Sequence, residues 1–228
     1  MGTMGTILLV LAIVAAFGGL FYLAHLQEKK RRLAIQAVAE RLGWAFLPDP
    51  DPSIIPVFPR LDLFGYGHGR RMRNFVSGTL DGRRVAVFDF IYVTGSGKSR
   101  REWYQTVAYV HSPEVDAPGF VLRPENLFHK IGGLFGYQDI DVEAEPRFSE
   151  QYLLRGHDED SIRALISPDV RDFLDGLEAC AEGVGPDLFF WHDGIPVNPD
   201  ALSARVEQAV RLSSLLAASS AARPPAGA

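Results

Sequence analysis

The sequence predicts an α+β protein, with an N-terminal transmembrane helix and a helical stalk followed by an antiparallel sheet domain with a few packed helices. Residues 7–26 form an apolar run without formal charge, and residues 74–122 contain several runs rich in β-branched and aromatic residues. Helix start signals lie between these strand patterns without strict alternation. Such a mixture favours an antiparallel sheet over repeated βαβ units.

The apolar run from Ile7 to Leu26 is long enough to cross a bilayer. About 20 residues in a helix span about 30 Å, the hydrocarbon thickness of a membrane. Residues 1–6 contain no Lys or Arg, the run is longer than the core of a usual secretory signal, and residues 24–28 form a poor cleavage site. We therefore expect residues 1–27 to be a retained anchor, with the lipid bilayer as the partner of residues 7–26.

A basic cluster follows this run directly, formed by Lys29, Lys30, Arg31 and Arg32. The positive-inside rule then predicts an N-terminus outside the cell membrane and a cytoplasmic C-terminal domain. The same side chains are candidates for contact with anionic lipid headgroups, at about 1 kcal/mol per charge. Cys180 is the only cysteine, so no intrachain disulfide can form, which fits a reducing cytoplasm.

Residues 28–60 are predicted to be a helical stalk followed by a proline-rich linker. The apolar residues of the stalk recur at helical spacing, at Ile35, Val38, Ala39 and Leu42. Gly43 is a natural helix stop, and the prolines between residues 48 and 56 oppose regular structure.

Residues 61–217 are predicted to be the α+β domain. Its strands are expected at 74–79, 84–93, 103–110, 120–122, 139–145, 151–155 and 188–191. Its helices are expected at 125–131, from Asp158 or Asp160 to 166, from Pro168 to about 176, and from Pro199 onwards with an apolar stripe. Residues 218–228 are expected to be a disordered tail.

Several classes of function lack support in the sequence. The net charge of −5 gives no support for nucleic-acid binding. The six histidines are scattered without ligand spacing, so neither a metal nor a cofactor is expected. Gly95 to Ser99 resembles a phosphate loop, but Tyr92 stands where the first glycine belongs and a strand follows, which favours an exposed hairpin loop. With no recognisable catalytic constellation, whether the chain is an enzyme stays open, and a non-enzymatic role is favoured.

The segment 65–73 is the most unusual local sequence, since it interleaves glycines with basic side chains. Its candidate contact residues are His68, Arg70, Arg71 and Arg73. Arginine binds phosphates and carboxylates bidentately, so an anion or headgroup site is one interpretation. The other is a loop that leads into a strand with a basic outer face.

The chain resembles an uncharacterised, chiefly actinobacterial group of single-pass membrane-anchored proteins. The resemblance covers nearly the whole chain and is carried by four stretches: Arg41-Leu42-Gly43-Trp44, the glycine and arginine pattern 67–78, the strand pattern Val85 to Phe90, and an acidic stretch from Glu143 to Phe148. It implies an anchor followed by a domain and brings no known activity, cofactor or catalytic residue.

The sequence thus predicts a membrane-tethered, non-catalytic interaction or scaffold protein with an unknown protein partner. The alternative is a domain that binds an anion, a lipid headgroup or a small ligand through the Gly/Arg segment 65–73, and whether such a domain is enzymatic stays open.

Overall fold

The structure is a computed structural model that describes residues 3–55, 61–125, 140 and 146–222. Its helices are α1 (Thr3–Leu42), α2 (Asp62–Gly65), α3 (Pro146–Gln151), α4 (Glu159–Leu165), α5 (Pro168–Leu174) and α6 (Leu202–Ala222). Its strands are β1 (Ala45–Leu47), β2 (His68–Leu80), β3 (Arg83–Thr94), β4 (Arg101–His111), β5 (Ala117–Pro124), β6 (Tyr152–Gly156), β7 (Cys180–Gly185) and β8 (Asp187–Trp191). The α+β class predicted from the sequence is confirmed.

Helix α1 is one continuous element with two different halves. Its first half is exposed on every face, as shown by Phe17 and Phe21, which are 69% and 79% exposed. In its second half Ile35 and Ala39 are almost fully buried. Among the described residues, one helix is long and apolar enough to cross a membrane, and it is this one. The same helix therefore has an exposed apolar surface in its first half and contributes to the domain core in its second half.

Within the described residues, eight strands form one antiparallel sheet in the order β1-β2-β3-β4-β8-β7-β5-β6. The long central strands β3 and β4 pair without interruption from Arg84 opposite His111 to Thr94 opposite Arg101. Strand β3 holds a run of β-branched and aromatic residues, and such side chains fit a pleated sheet covered on both faces.

Each face of the sheet has its own core. One face packs against the second half of α1 and against α4, α5 and α6, whose stripe includes Val206 and Leu212. The other face is aromatic, and Ile55, Leu61 and Phe64 pack against it. Phe64 packs edge-on against Phe90, with ring centroids 5.0 Å apart. Burial on both faces explains why β3 is apolar along nearly its whole length rather than alternating.

The structure also differs from the sequence predictions. Strand β2 begins at His68 rather than near residue 74, and β1 and β7 were not predicted. The expected stalk is not separate from the domain, because its apolar positions 35, 38 and 39 lie in the core. Helix α6 continues to Ala222, so the first part of the expected tail is helical. Most of the predicted helix 125–131 and nearly all of the predicted strand 139–145 lie outside the described residues.

The junction of α1 with the sheet depends on a close approach at Gly78. A Cβ atom at this position would lie 2.4 Å from the Trp44 ring, so no side chain fits there. We predict that Gly78→Ala lowers the free energy of unfolding by about 1–3 kcal/mol, because the ring or the strand must move. Chemical denaturation of the full chain in detergent measures this.

Gly65→Ala is the matched control, because nothing lies within 4 Å of a Cβ built at Gly65. An effect of Gly78→Ala no larger than that of Gly65→Ala would contradict the tight junction.

Candidate functional site: a buried arginine at the base of the apolar helix

The basic cluster after the apolar run does not act as one unit in the structure. Lys29 and Lys30 are exposed. Arg32 reaches Asp49 of the following segment, with 3.2 Å between Nη2 and Oδ2. Arg31 turns inward and ends on Asp89 in the middle of β3. The four residues predicted together as topology or headgroup contacts are thus divided between solvent and the domain.

Arg31 and Asp89 form a two-point ion pair. Arg31 Nε donates to Asp89 Oδ2 at 2.9 Å, and Arg31 Nη2 donates to Asp89 Oδ1 at 2.7 Å. The Asp89 side chain is 1% exposed and the Arg31 side chain 15% exposed. A planar guanidinium fits a carboxylate in this way, whereas a lysine ammonium would contact it at one point.

Further hydrogen bonds surround the pair. Asp89 accepts further hydrogen bonds from the Asn74 amide at 2.9 Å, the Tyr104 hydroxyl at 2.7 Å and the Thr106 hydroxyl at 2.8 Å. Arg31 Nη1 donates to the backbone oxygen of Val197 at 2.7 Å. The network therefore joins α1 to β2, β3, β4 and the segment that precedes α6, and a buried carboxylate is tolerated because its oxygens are satisfied.

The electrostatics of the network agree with a charged pair. Burial lowers the pKa of Arg31, but the hydrogen bond and the negative charge of Asp89 outweigh burial, so its pKa is raised overall. Burial and the Asp89 charge both raise the pKa of Tyr104, which keeps its hydroxyl protonated as a donor. Arg31 therefore stays charged beside Asp89.

Asn74 adds a backbone constraint to this site. It adopts a positive φ of 50° within the register shift of β2 between Arg73 and Val76, and asparagine tolerates this conformation better than most residues. Its backbone N–H donates to the Pro48 oxygen at 2.8 Å, which fastens the proline-rich segment beside β2. The bulge thereby turns the Asn74 amide towards Asp89.

The predicted contact residues of the segment 65–73 are not gathered into one pocket. Helix α2 ends at Gly65 and β2 begins at His68, so the expected loop is mostly strand. Arg70 donates to the Phe64 backbone oxygen, and Arg71 pairs with Glu102 at 2.8 Å. Arg73 lies further along, near the helix base, where Glu28 is 3.4 Å away.

A second buried ion pair lies on the aromatic face. Arg123 Nη2 donates to Glu182 Oε1 at 2.8 Å, and the Leu63 backbone N–H donates to both Glu182 oxygens. Burial raises the pKa of Glu182 even though the Arg123 charge opposes the shift. Within the described residues, Arg123 Nε, the Tyr66 hydroxyl and Trp191 Nε1 are buried without a hydrogen-bond partner.

A cleft of about 190 Å³ opens beside this pair. Asp62, Arg155, His157 and Glu182 contribute its polar lining. Its volume equals that of about six waters or a small polar molecule. Sequence reasoning missed this site, because Asp62, Arg123 and Glu182 are distant in sequence and no local motif connects them.

Other motifs singled out in the sequence have structural roles. Gly97–Ser99 form a short 3-10 turn in the exposed β3–β4 hairpin, with a strand after it. Asp158 caps α4 by accepting a hydrogen bond from the Ser161 backbone at 3.1 Å. Among the described residues, no three His, Cys, Asp or Glu side chains lie close enough together to hold a metal ion.

No protein-family profile matches the sequence, and a search of curated proteins finds no match. A search of solved structures finds the crystal structure of the mycobacterial trehalose monomycolate transport factor A, TtfA, at 15% sequence identity. The match has a TM-score of 0.55 and covers 88% of this chain and 98% of that one. At this identity the similarity establishes a shared fold.

The Arg31–Asp89 pair generates a prediction about stability. We expect Arg31→Met to lower the free energy of unfolding by about 3–5 kcal/mol, because Asp89 is left buried without its cation. Arg31→Lys should recover part of this loss, since the charge returns without the two-point geometry. Denaturation of the full chain in detergent, followed by tryptophan fluorescence, measures both.

Arg71→Met is the control, because its pair with Glu102 has a similar distance but both side chains are nearly half exposed. It should cost less than about 1 kcal/mol. Equal losses for Arg31→Met and Arg71→Met would show that burial does not distinguish the two pairs.

Proposed function

We propose that the chain is a membrane-tethered, non-catalytic interaction module. In this proposal α1 crosses the cell membrane once, the N-terminus lies outside, and the domain lies at the cytoplasmic face. The exposed apolar first half of α1 supports the span, since such a surface is stable in lipid and not in water. Lys29 and Lys30, which remain exposed directly after the run, support the orientation.

The observation that carries the proposal is the Arg31–Asp89 joint. It lies five residues beyond the end of the apolar run and fixes the helix to the centre of the sheet. The domain therefore cannot swing freely on its tether. A domain held in one orientation loses less freedom when it meets a partner in the same membrane, which favours binding.

The buried ionisable groups support a non-catalytic role. Asp89 is surrounded by donors from three elements, α1, β2 and β4, and Glu182 is held by Arg123 and a backbone N–H. Burial raises the pKa of the Cys180 thiol to about 12, which disfavours the nucleophilic thiolate. These groups are arranged to hold the fold together.

The shared fold extends the proposal to a type of partner. The structural neighbour is described as a mycobacterial transport factor, and the chain itself resembles actinobacterial anchored proteins. We therefore infer an accessory role beside a membrane transport protein, with the domain as the contacting part.

The orientation is tested with a reporter fused after Ala228. A reporter that works only in the cytoplasm should be active, because the basic residues follow the apolar run. A reporter that works only outside should be inactive at the same position. The opposite pair of results would overturn the orientation, and membrane fractionation of both fusions confirms that the chain is inserted.

The tether is tested by exchanging residues 7–26 for an unrelated apolar span of equal length. Crosslinking to membrane partners in intact cells should be retained, because the span acts as an anchor. Arg31→Lys in the otherwise native chain should reduce crosslinking, since the domain orientation loosens. A span exchange that abolishes crosslinking while the protein stays in the membrane would show that the apolar sequence itself binds the partner.

A further inference from the structure

One end of the sheet carries a concentration of exposed positive charge. At the start of β2 and around the β3–β4 hairpin lie His68, Arg70, Arg71, Lys98, Arg100 and Arg101, which we call the basic rim. Glu102 is the acidic side chain among them, and it already pairs with Arg71 at 2.8 Å. The rim therefore keeps a clear net positive charge.

The opposite end of the same strands has a mixed charge. The β2–β3 turn and the segment after β4 place Arg83 and Arg84 beside Asp81, Glu114 and Asp116. Arg83 pairs with Glu114 at 2.9 Å and donates to Ser112. The positive charge is thus a property of one end of the sheet and not of its whole surface.

The direction of α1 shows which end this is. Glu28 contacts Arg73, Arg31 contacts Asp89, and Trp44 packs on Gly78. Helix α1 and strand β2 therefore run in the same direction. The end of the sheet at which β2 begins thus lies on the same side of the domain as the apolar half of the helix. The basic rim lies at the end of the domain that faces the proposed membrane.

The distances bring the rim to the level of the lipid headgroups. From Arg31 back to Leu26, the end of the apolar run, α1 rises about 7.5 Å. From Asp89 to Thr94, strand β3 advances about 16 Å in the same general direction. The hairpin after Thr94 therefore reaches the level of Leu26, where the apolar run ends and the headgroup layer begins, even if the strand is strongly tilted against the helix.

The side chains beside the rim are of the kind found at membrane interfaces. The Arg101 guanidinium lies 3.9 Å from the centre of the Trp103 ring, and Trp103 Nε1 donates to Thr94. Ile195 is 56% exposed and follows Gly194, where an added Cβ would lie 3.4 Å from the same ring. Tryptophan and arginine are typical of the headgroup layer, where the apolar part of the side chain contacts lipid and the polar part contacts water.

We propose that the basic rim docks on anionic lipid headgroups at the cytoplasmic surface. This rests on the proposed function, because it requires α1 to span the membrane. The anchor and the rim then contact the same bilayer, and the Arg31–Asp89 joint fixes the angle between them. The arginines of β2 contribute to this surface together with the hairpin, rather than forming a separate anion pocket.

The test uses the full chain reconstituted in vesicles, with an environment-sensitive dye on Ser96→Cys in the hairpin. The native Cys180 is fully buried, so the new thiol is labelled selectively. Phosphatidylcholine vesicles are compared with vesicles containing about one-third phosphatidylglycerol, where each cation near the surface shifts the docked-to-undocked ratio about five-fold. We expect a blue shift and stronger quenching by headgroup-linked quenchers only with the anionic lipid.

Two matched controls define the surface. A dye on Thr79→Cys, at the opposite end of β2, should give the same signal in both vesicles. Arg100→Gln with Arg101→Gln should remove most of the lipid-dependent signal at Ser96→Cys, whereas Arg41→Gln with Arg84→Gln, elsewhere on the surface, should not. Inorganic phosphate added to phosphatidylcholine vesicles should have no effect, because a lipid surface is the ligand.

The outcomes separate this inference from the tether itself. If the chain fails to float with vesicles after carbonate extraction, the membrane span is wrong. If it floats but Ser96→Cys gives the same signal with and without anionic lipid, the span stands and the docking of the rim is overturned. A signal that follows phosphate rather than lipid also overturns it.

Discussion

The structure depends on one ion pair, in which an arginine of the N-terminal helix neutralises an aspartate at the centre of the sheet. Asp89 lies in the middle of β3, where an unpaired carboxylate would be strongly destabilising. Its cation comes from α1, 58 residues earlier in the chain. Asp89 therefore cannot be buried in the sheet unless α1 is in place. If α1 dissociated from the sheet, Asp89 would be left as an unpaired buried charge. For this reason α1 and the sheet form one folding unit.

This coupling changes the meaning of the basic cluster after the apolar run. A cluster that marks topology needs only charge, and its members are interchangeable. Arg31 is not interchangeable here, because its guanidinium satisfies Asp89, Tyr104 and the Val197 carbonyl at once. Lys29 and Lys30 stay exposed on the helix. Residues 29–31 thus have two roles, which depend on the side of the helix that each residue occupies. Arg31 faces the domain and binds Asp89, whereas Lys29 and Lys30 face away from it.

The sequence predicts the elements that depend on a local pattern of residues, and it does not predict the features that depend on contacts between distant residues. The apolar run and the long β3 and β4 patterns are local, and the structure confirms these two strands. The apolar pattern of strand β7 is interrupted by Glu182 and two glycines, so the sequence does not predict this strand. Glu182 is buried there because Arg123 and the Leu63 backbone N–H bind its carboxylate. The apolar stripe of the stalk was recognised as a helix face, but periodicity does not say what the face packs against. No local sequence pattern predicts the pairing of Arg31 with Asp89, since only the fold brings the two residues together.

The position of the basic rim follows from the same joint. A charged hairpin at the end of a sheet is ordinary when the domain rotates freely, because its orientation then averages out. Here the joint aligns β2 with α1, so the end at which β2 begins always faces the end from which the apolar run emerges. Six basic side chains at that end then have a fixed distance and direction relative to any bilayer that α1 crosses. The electrostatic attraction of a few such charges is modest for each one, but it acts on a surface that is already oriented and needs no further ordering. The buried pair that completes the core is therefore also the element that makes the surface charge effective.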